Sequence, residues 1–426
     1  MTLPGPTRWA RPGSRAVPWI AAVLATLWCA DTALAQSPTM RERIYQRLSK
    51  AQVAADAGDT AKALEILREV EKTKDLSPYE MAQLHTAFGF VEYSRENYRE
   101  AVSHYQTVLR QEGLPPAMIS LSRYTLAQLH FIVEDYEAAA NEITKWLEAA
   151  TSPGPEPYVL LGQAFYKLER YGDAIPPLET AISIAEAGGR QVRENWYLLL
   201  RVLHYERGDW PKVLEVLELL VARFPKKEYW IQLAATYGEV GDAPNRLASY
   251  DAAYLQGLLD RHEDVVTYAQ LLIQAGAPYR GAVVLDRGLE QKVVERSARM
   301  YRLLSDAWTM AREADRAIRA LSSAAELSEN GEADARLAQL HLNREESEKA
   351  VEASRRALAK GVEGRGQVQC VLGMALFELE RFDEATSAFD KALDSPSTRQ
   401  TASQWIAFIE REQERIRQLE SGLERP

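Results

Sequence analysis

The chain has 426 residues, of which 46% are hydrophobic and 26% are charged, and its formal net charge is −10. These values are typical of a soluble, well-packed protein that is long enough for several domains or one extended array. The acidic balance argues against nucleic acid as a partner. Nucleic-acid binders need a basic patch, and no run of Lys and Arg in this chain is long enough to form one.

The first 35 residues have the pattern of a secretory signal peptide. Three arginines form a positive leader, the apolar run AVPWIAAVLATLWCA follows, and Ala33, Leu34 and Ala35 form a small-residue cleavage pattern before Gln36. The apolar run is too short for a comfortable membrane span of about 20 residues. We therefore predict an exported, soluble protein that does not span the membrane after cleavage, with an uncleaved anchor as the alternative. A short segment, residues 36–43, precedes the first predicted repeat.

Residues 157–184, PYVLLGQAFYKLERYGDAIPPLETAISI, predict two helices joined by a short turn. Gly162 in the first half and Ala174 in the second are small, which allows the two antiparallel helices to cross closely. Leu161, Phe165 and Leu178 are large and fill the space beside this crossing. One such pair cannot bury its apolar faces alone, so neighbouring pairs must stack.

The same pattern recurs along the chain at intervals of 33 to 39 residues. The small residue of the second helix and its equivalents are Ala63, Ala101, Ala139, Ala174, Val213, Arg246, Gly281, Ala317, Ala350 and Ala385. Arg246 departs from the pattern, but its neighbours keep the frame. Prolines fall between the repeats, where a helix is expected to stop. After Pro396 a last amphipathic helix is predicted, with Trp405, Ile406 and Phe408 covering the end of the array.

These residues resemble the tetratricopeptide repeat. The matching positions in the segment above are Tyr158, Leu161, Gly162 and Phe165, followed by Tyr171, Ala174, Leu178 and Ala181. The resemblance implies an all-α fold, a superhelical solenoid of about ten helix–turn–helix repeats over residues 44–396. A C-terminal capping helix and tail, residues 397–426, would close it. The resemblance also implies a protein-binding scaffold rather than an enzyme.

No catalytic or cofactor signature accompanies the repeats. The chain lacks Gly-x-Gly-x-x-Gly, phosphate-loop, Gly-x-Ser-x-Gly and His-Glu-x-x-His motifs. Removal of residues 1–35 leaves Cys370 as the one cysteine, which excludes an internal disulfide and favours a place in the core. His130, His204 and His341 take the place of a repeat Tyr and lie in separate repeats, so we predict a packing role. We predict no enzyme activity, cofactor, metal site or small-molecule substrate.

Two rows of side chains fall on the face of the first helices that lines the concave side of such arrays. One row holds aromatic residues of four consecutive repeats, Tyr93, Phe131, Tyr166 and Tyr205. The other row holds the glutamines Gln128, Gln163, Gln270 and Gln339. Aromatic faces offer apolar area at a small entropy cost, and Gln both donates and accepts hydrogen bonds, so we predict a groove for an extended peptide. The alternative is that the aromatic residues pack against the next repeat and that Gln is simply a good helix former.

The second half of the chain carries a narrower resemblance. The segments KKEYWIQLAATYGEVGD, LASYDAAYLQG and AQLLIQAGAPYRGAVVLDRGL resemble exported tetratricopeptide repeat proteins encoded beside TonB–ExbB–ExbD systems in Gram-negative bacteria. Matching residues include Tyr229, Trp230, Tyr237, Tyr250 and Tyr279. The resemblance implies a periplasmic adaptor for energised outer-membrane transport, with TonB, ExbB, ExbD or an outer-membrane receptor as partner. The alternative is a periplasmic assembly factor or chaperone for envelope or cell-wall proteins.

Overall fold

The structure is a computed structural model that describes residues 39–423. The predicted signal peptide, residues 1–35, lies outside the described residues. The described residues divide into two compact units, with the division between Leu220 and Val221. Every regular element between residues 39 and 423 is an α-helix, and no strand occurs there, which confirms the all-α prediction. None of the helices in this range is long and apolar enough to cross a membrane.

The described part of the chain holds 21 helices, which form ten helix–turn–helix pairs and one last helix. The helices that begin in the first unit are α1 (Glu42–Asp56), α2 (Thr60–Glu71), α3 (Pro78–Ser94), α4 (Tyr98–Leu109), α5 (Pro116–Ile132), α6 (Tyr136–Ala149), α7 (Pro155–Lys167), α8 (Tyr171–Ala187), α9 (Glu194–Glu206) and α10 (Trp210–Arg223). Those of the second unit are α11 (Lys227–Glu239), α12 (Ala243–Leu255), α13 (His262–Gln274), α14 (Pro278–Glu290), α15 (Ala298–Met310), α16 (Ala314–Leu327), α17 (Glu332–Leu342), α18 (Ser347–Lys360), α19 (Arg365–Glu378), α20 (Phe382–Ala392) and α21 (Arg399–Leu423). The ten pairs confirm the predicted number of repeats.

The turns inside the ten pairs share one backbone geometry. In each turn an amide donates to a carbonyl five residues earlier at 2.8 to 3.0 Å, as from Asp135 to His130 and from Arg381 to Leu376. The residue before each donor has a positive φ, a conformation that suits glycine best. These residues are Gly58, Glu96, Glu134, Glu169, Gly208, Gly241, Gly276, Arg312, Glu345 and Glu380. Because six of the ten are not glycine, the packing of the paired helices must impose the turn.

The small residues predicted at the helix crossings lie where the paired helices meet. A Cβ atom on Gly162 would lie 3.2 Å from the carbonyl oxygen of Ala174, which is itself fully buried. In the sixth pair, the small residue of the second helix is replaced by Arg246. Arg246 on α12 extends over Gly238 on α11, where a Cβ would lie 3.5 Å from the arginine side chain. A small residue opposite therefore accommodates the one large departure from the pattern.

The last helix, α21, packs on the tenth pair through its first half. Ile409 is fully buried in this contact, and Trp405 stacks on Phe389 with the ring centroids 5.5 Å apart. Phe408 contacts the ring of Phe377 at 5.4 Å and remains 43% exposed. The apolar face predicted for this helix is therefore present. Its most buried large residue is Ile409, which the sequence analysis did not single out.

Candidate functional site

Each residue of the predicted aromatic row lies near the end of a first helix and contacts the aromatic residue that opens the following helix. The ring centroids are 5.7 Å apart for Tyr93 and Tyr98, 5.2 Å for Phe131 and Tyr136, 6.1 Å for Tyr166 and Tyr171, and 5.4 Å for Tyr205 and Trp210. Three members of the row are half-buried, and Tyr205 is 38% exposed. Burial raises the pKa of Tyr93 above its usual value. Contacts within each repeat therefore hold the row in place.

Part of the row also packs against the next repeat. Phe131 packs against a buried cluster that includes Leu161 of α7, and Tyr93 packs against a cluster that includes Leu126 of α5. This is the contact that the alternative interpretation expects. The rings are not fully covered by it, so an exposed part of each remains available to a partner.

The equivalent positions in the sixth to ninth repeats carry no aromatic residue. These positions hold Gly238, Ile273, Thr309 and Leu342. The turns that follow them have the same hydrogen bond and the same positive φ as the turns of the first unit. Only in the tenth repeat does an aromatic pair return, Phe377 with Phe382 at 5.6 Å. The turn therefore forms without an aromatic pair.

Two of the four predicted glutamines lie beside the aromatic row. Gln128 on α5 and Gln163 on α7 are half-buried, each three residues before a member of the row and therefore on the same helix face. Gln270 on α13 and Gln339 on α17 belong to the second unit, and Gln339 Nε2 donates to Asn343 Oδ1 at 2.8 Å. Gln128, Gln163 and the aromatic row all belong to the first unit.

The three histidines in the Tyr position contact the acidic residue that precedes the next helix. The distance from Nδ1 to the carboxylate oxygen is 3.3 Å for His130 and Asp135, 3.7 Å for His204 and Asp209, and 2.7 Å for His341 and Glu346. All three rings are buried, which agrees with the predicted packing role. Burial lowers the pKa of His204, and Asp209 acts in the opposite direction. These His–carboxylate pairs were not predicted, although the acidic residue five positions after each His is visible in the sequence.

A contact between two other histidines had no sequence signal. Nδ1 of His85 on α3 lies 2.9 Å from Nδ1 of His104 on α4, and the ring centroids are 5.1 Å apart. The distance between the ring centroids exceeds the distance between the two nitrogens by about twice the radius of an imidazole ring, so the two Nδ1 atoms point directly at each other. This geometry is that of one Nδ1–H donating to the other Nδ1, rather than of two nitrogens converging on a metal ion. Burial lowers the pKa of both rings.

The described residues also include potential metal ligands and one cysteine. Between residues 39 and 423, no group of three or more His, Cys, Asp or Glu side chains could hold a metal ion. Cys370 is buried, as predicted, and burial raises the pKa of its thiol. A thiol with a raised pKa is a poor nucleophile, which fits a place in the core.

Comparison with known proteins agrees with the repeat pattern. Residues 124–191 and 335–399 match the family model of the tetratricopeptide repeat. No curated protein sequence matches the chain. The two matched segments cover less than half of the chain, and the ten helix pairs agree with an all-α solenoid of helix–turn–helix repeats of this kind. Repeats of this kind are in general non-enzymatic scaffolds for protein interaction.

Solved structures with a similar fold are distant in sequence. A tetratricopeptide repeat protein from Parabacteroides merdae is 18% identical, over 68% of this chain and 94% of that protein, with a TM-score of 0.36. YrrB, a repeat protein with an unusual peptide-binding site, is 18% identical over 44% and 89%, with a TM-score of 0.34. The TPR2AB domain of yeast Sti1, solved as a complex with pHSP90, is 15% identical over 61% and 99%, with a TM-score of 0.34. At these identities the likeness concerns the fold alone.

Proposed function

We propose that the chain is an exported scaffold that binds an extended segment of a partner protein along the aromatic row and the two glutamines beside it. One observation carries this proposal: the same turn forms in the second unit without aromatic residues at these positions. The fold therefore does not require the four consecutive aromatic residues of the first unit. Aromatic side chains concentrated where folding does not demand them are typical of recognition surfaces.

The row has properties that suit peptide recognition. The aromatic residue of the following helix holds each ring in one orientation. Little side-chain conformational entropy is therefore lost when a partner packs on the ring. Gln128 and Gln163 can each donate to and accept from the main chain of an extended peptide. The proposed ligand is therefore a segment with apolar side chains at the spacing of the rings and an accessible main chain.

The proposed place of action is the periplasm, where the scaffold assists a TonB–ExbB–ExbD-type outer-membrane transport system. Support comes from the signal-peptide pattern of residues 1–35 and from the segments of the second half that resemble such proteins. Within that resemblance, Tyr279 is 47% exposed and open to a partner, whereas Tyr229 is buried and belongs to the core. The alternative proposal is an assembly factor or chaperone for envelope or cell-wall proteins, which would use the same row.

The test is a pull-down from envelope fractions with the full chain and with the double variant Tyr166→Leu, Tyr205→Leu. We expect the double variant to recover at least about tenfold less of the partner, since each lost aromatic contact weakens binding by about 1 to 2 kcal/mol. Mass spectrometry of the recovered proteins separates the two proposals. TonB, ExbB, ExbD or a receptor supports the transport role, and cell-wall or envelope enzymes support the assembly role.

Phe377→Leu is the matched control, because it removes the equivalent aromatic residue from the tenth repeat, outside the row. This variant should recover partners as the unchanged chain does. Circular dichroism should show the same helix content for all three proteins. If the double variant retained every partner while remaining folded, the aromatic row would have no role in recognition.

A further inference from the structure

A cleft opens on the second unit between α14, α15 and α16. Its volume is about 580 Å³, and it is open to solvent. Residues of α15 form its floor, α14 forms one wall and α16 forms the other. The cleft is separate from the aromatic row, which belongs to the first unit.

The floor of the cleft is apolar and well packed. Leu304 and Trp308 of α15 are each 2% exposed. The guanidinium carbon of Arg316 lies 4.6 Å from the centroid of the Trp308 ring and 5.7 Å from that of Tyr279, a cation–π arrangement. The nearest carboxylate to this arginine is that of Glu313, at 3.9 Å. Arg316 also donates a hydrogen bond to Tyr279 Oη at 3.4 Å. The aromatic rings and Glu313 therefore hold Arg316 in position, and its guanidinium group forms no ion pair with a carboxylate of α14.

The two walls carry opposite charges. Asp286 and Glu290 stand one helical turn apart on α14, and Arg316 and Arg319 stand almost one turn apart on α16. Arg287 adds a third guanidinium group on the α14 side. Among the residues that the structure describes, no ion pair within 4.0 Å joins one wall to the other. The α14 wall therefore holds two carboxylates beside one guanidinium group, and it faces the two guanidinium groups of α16 without an ion pair between the walls.

Elsewhere in the second unit, oppositely charged side chains form ion pairs. The pairs that join neighbouring repeats include Arg336 with Asp306 at 2.5 Å, Arg344 with Asp315 at 2.6 Å and Arg355 with Glu384 at 2.9 Å. At the cleft, burial and the nearby Glu290 raise the pKa of Asp286, while Arg316 and Arg319 act in the opposite direction. The arginines are thus close enough to act on the carboxylate but do not pair with it. A half-buried carboxylate without a partner is unfavourable, and a dipolar ligand would relieve it.

We propose that this cleft binds short zwitterionic peptides of two or three residues. The α-amino group of the ligand lies at Asp286 and Glu290. Its α-carboxylate lies at Arg316 and Arg319, where planar guanidinium groups can form paired hydrogen bonds with it. An apolar side chain of the ligand packs on Trp308.

The size of the cleft supports this ligand class. Packed helices lie about 8 to 10 Å apart, and an extended chain spans about 3.5 Å for each residue. Two or three residues therefore bring the two terminal charges of a peptide to the two walls. A free amino acid is too short to reach both walls. A segment inside a protein chain lacks the terminal charges that the walls would recognise.

Isothermal titration calorimetry of the full chain with the tripeptide Leu-Ala-Phe tests the proposal. We expect saturable binding of the free tripeptide, and binding at least about tenfold weaker when its amino group is acetylated or its carboxylate is amidated. Arg319→Gln and Asp286→Asn should each weaken binding of the free tripeptide by a similar factor. Both residues are at least partly exposed, so the variants should fold, which the thermal melting curve checks.

Matched controls come from the same helices or their neighbours. Arg299→Gln on α15 and Glu326→Gln on α16 remove exposed charges that do not line the cleft, and they should leave tripeptide binding unchanged. The Tyr166→Leu, Tyr205→Leu double variant should also bind the tripeptide normally. Equal binding of the blocked and free tripeptides would overturn the proposal. So would the absence of binding at millimolar tripeptide, or an equal loss of binding in the control variants.

Discussion

The two units of this protein build the same repeat with different side chains at the turn. In the first unit, four consecutive turns carry an aromatic pair, from Tyr93 with Tyr98 to Tyr205 with Trp210. In the second unit, four consecutive turns have the same backbone without such a pair. Helix packing and the backbone hydrogen bond therefore suffice to close the turn. The aromatic pairs are not needed for the turn, and we propose that they form a binding surface in the first unit.

The second unit carries exposed ion pairs between repeats and a charged cleft. Ion pairs such as Arg336 with Asp306 link neighbouring repeats on its surface. At the cleft, the charges of Asp286 and Arg319 remain apart. One repeat design thus supports two kinds of surface, an aromatic row in one unit and a charged cleft in the other. Four substitutions test whether the side chains that differ between the units contribute less to the free energy of unfolding than the side chains of the core.

The largest expected effect comes from an aromatic residue in the core rather than at a turn. Phe389 is fully buried, and its ring lies within 2.6 Å of where a Cβ on Gly373 would be. Phe389→Ala should lower the free energy of unfolding by about 3 to 5 kcal/mol, because the ring leaves a cavity. Tyr93→Leu at a turn should lower it by less than about 1 kcal/mol. Urea unfolding measures both, and equal losses would mean that the turn aromatics are structural after all.

A buried carboxylate in the first unit should produce an intermediate, pH-dependent effect. Glu80 is 2% exposed and accepts hydrogen bonds from Arg41 Nε at 2.8 Å and from the Ser77 amide at 3.0 Å. The hydrogen bond from Arg41 lowers the pKa of Glu80 to about 2 from its usual 4.5, against the raising effect of burial. The contribution of the Glu80 carboxylate to the free energy of unfolding is therefore complete above about pH 4.5 and is lost as the pH falls from there towards 2. Glu80→Gln should cost about 2 kcal/mol at neutral pH, a value reduced from the full shift because Arg41 is partly exposed.

The measurement for Glu80→Gln is urea unfolding at a series of pH values. The difference in the free energy of unfolding between the variant and the unchanged chain should decrease below about pH 4.5 and nearly vanish near pH 2. Glu65→Gln, an exposed residue on α2, is the control and should show no such difference. A difference for Glu80→Gln that stayed constant across this range would show that its charge does not contribute to stability.

The smallest expected effect comes from the surface ion pairs of the second unit. Arg336 and Asp306 form one of these, with side chains that are 52% and 47% exposed. Arg336→Ala should change the free energy of unfolding by no more than about 0.5 kcal/mol, because water and salt screen exposed pairs. Arg336→Lys keeps the charge and serves as the control. A loss above about 1.5 kcal/mol that vanished in high salt would mean that charge holds these repeats together.

The candidate site was predictable only in part. Helical spacing predicts that Gln128 shares a helix face with Phe131 and that Gln163 shares one with Tyr166, and each of these two pairs lies within one helix, α5 and α7 respectively. The sequence could not show that Gln270 and Gln339 belong to a different compact unit. Nor could it show how much of the aromatic row is taken up by the helix that follows. These properties depend on how separate helices meet, not on the spacing along one of them.

The sequence by itself determined the repeat: its length, its helix pairs and the small residues at their crossings. It could do so because these properties arise from residues within one turn or one helix pair of each other. Only the tertiary structure determines the positive φ of residues such as Glu96, the contact between His85 and His104, and the absence of an ion pair between the two walls of the cleft. These features depend on packing between separate helices. Such packing imposes a positive φ on a Glu, a conformation that is unfavourable for residues other than glycine, and it brings charges from different repeats near each other.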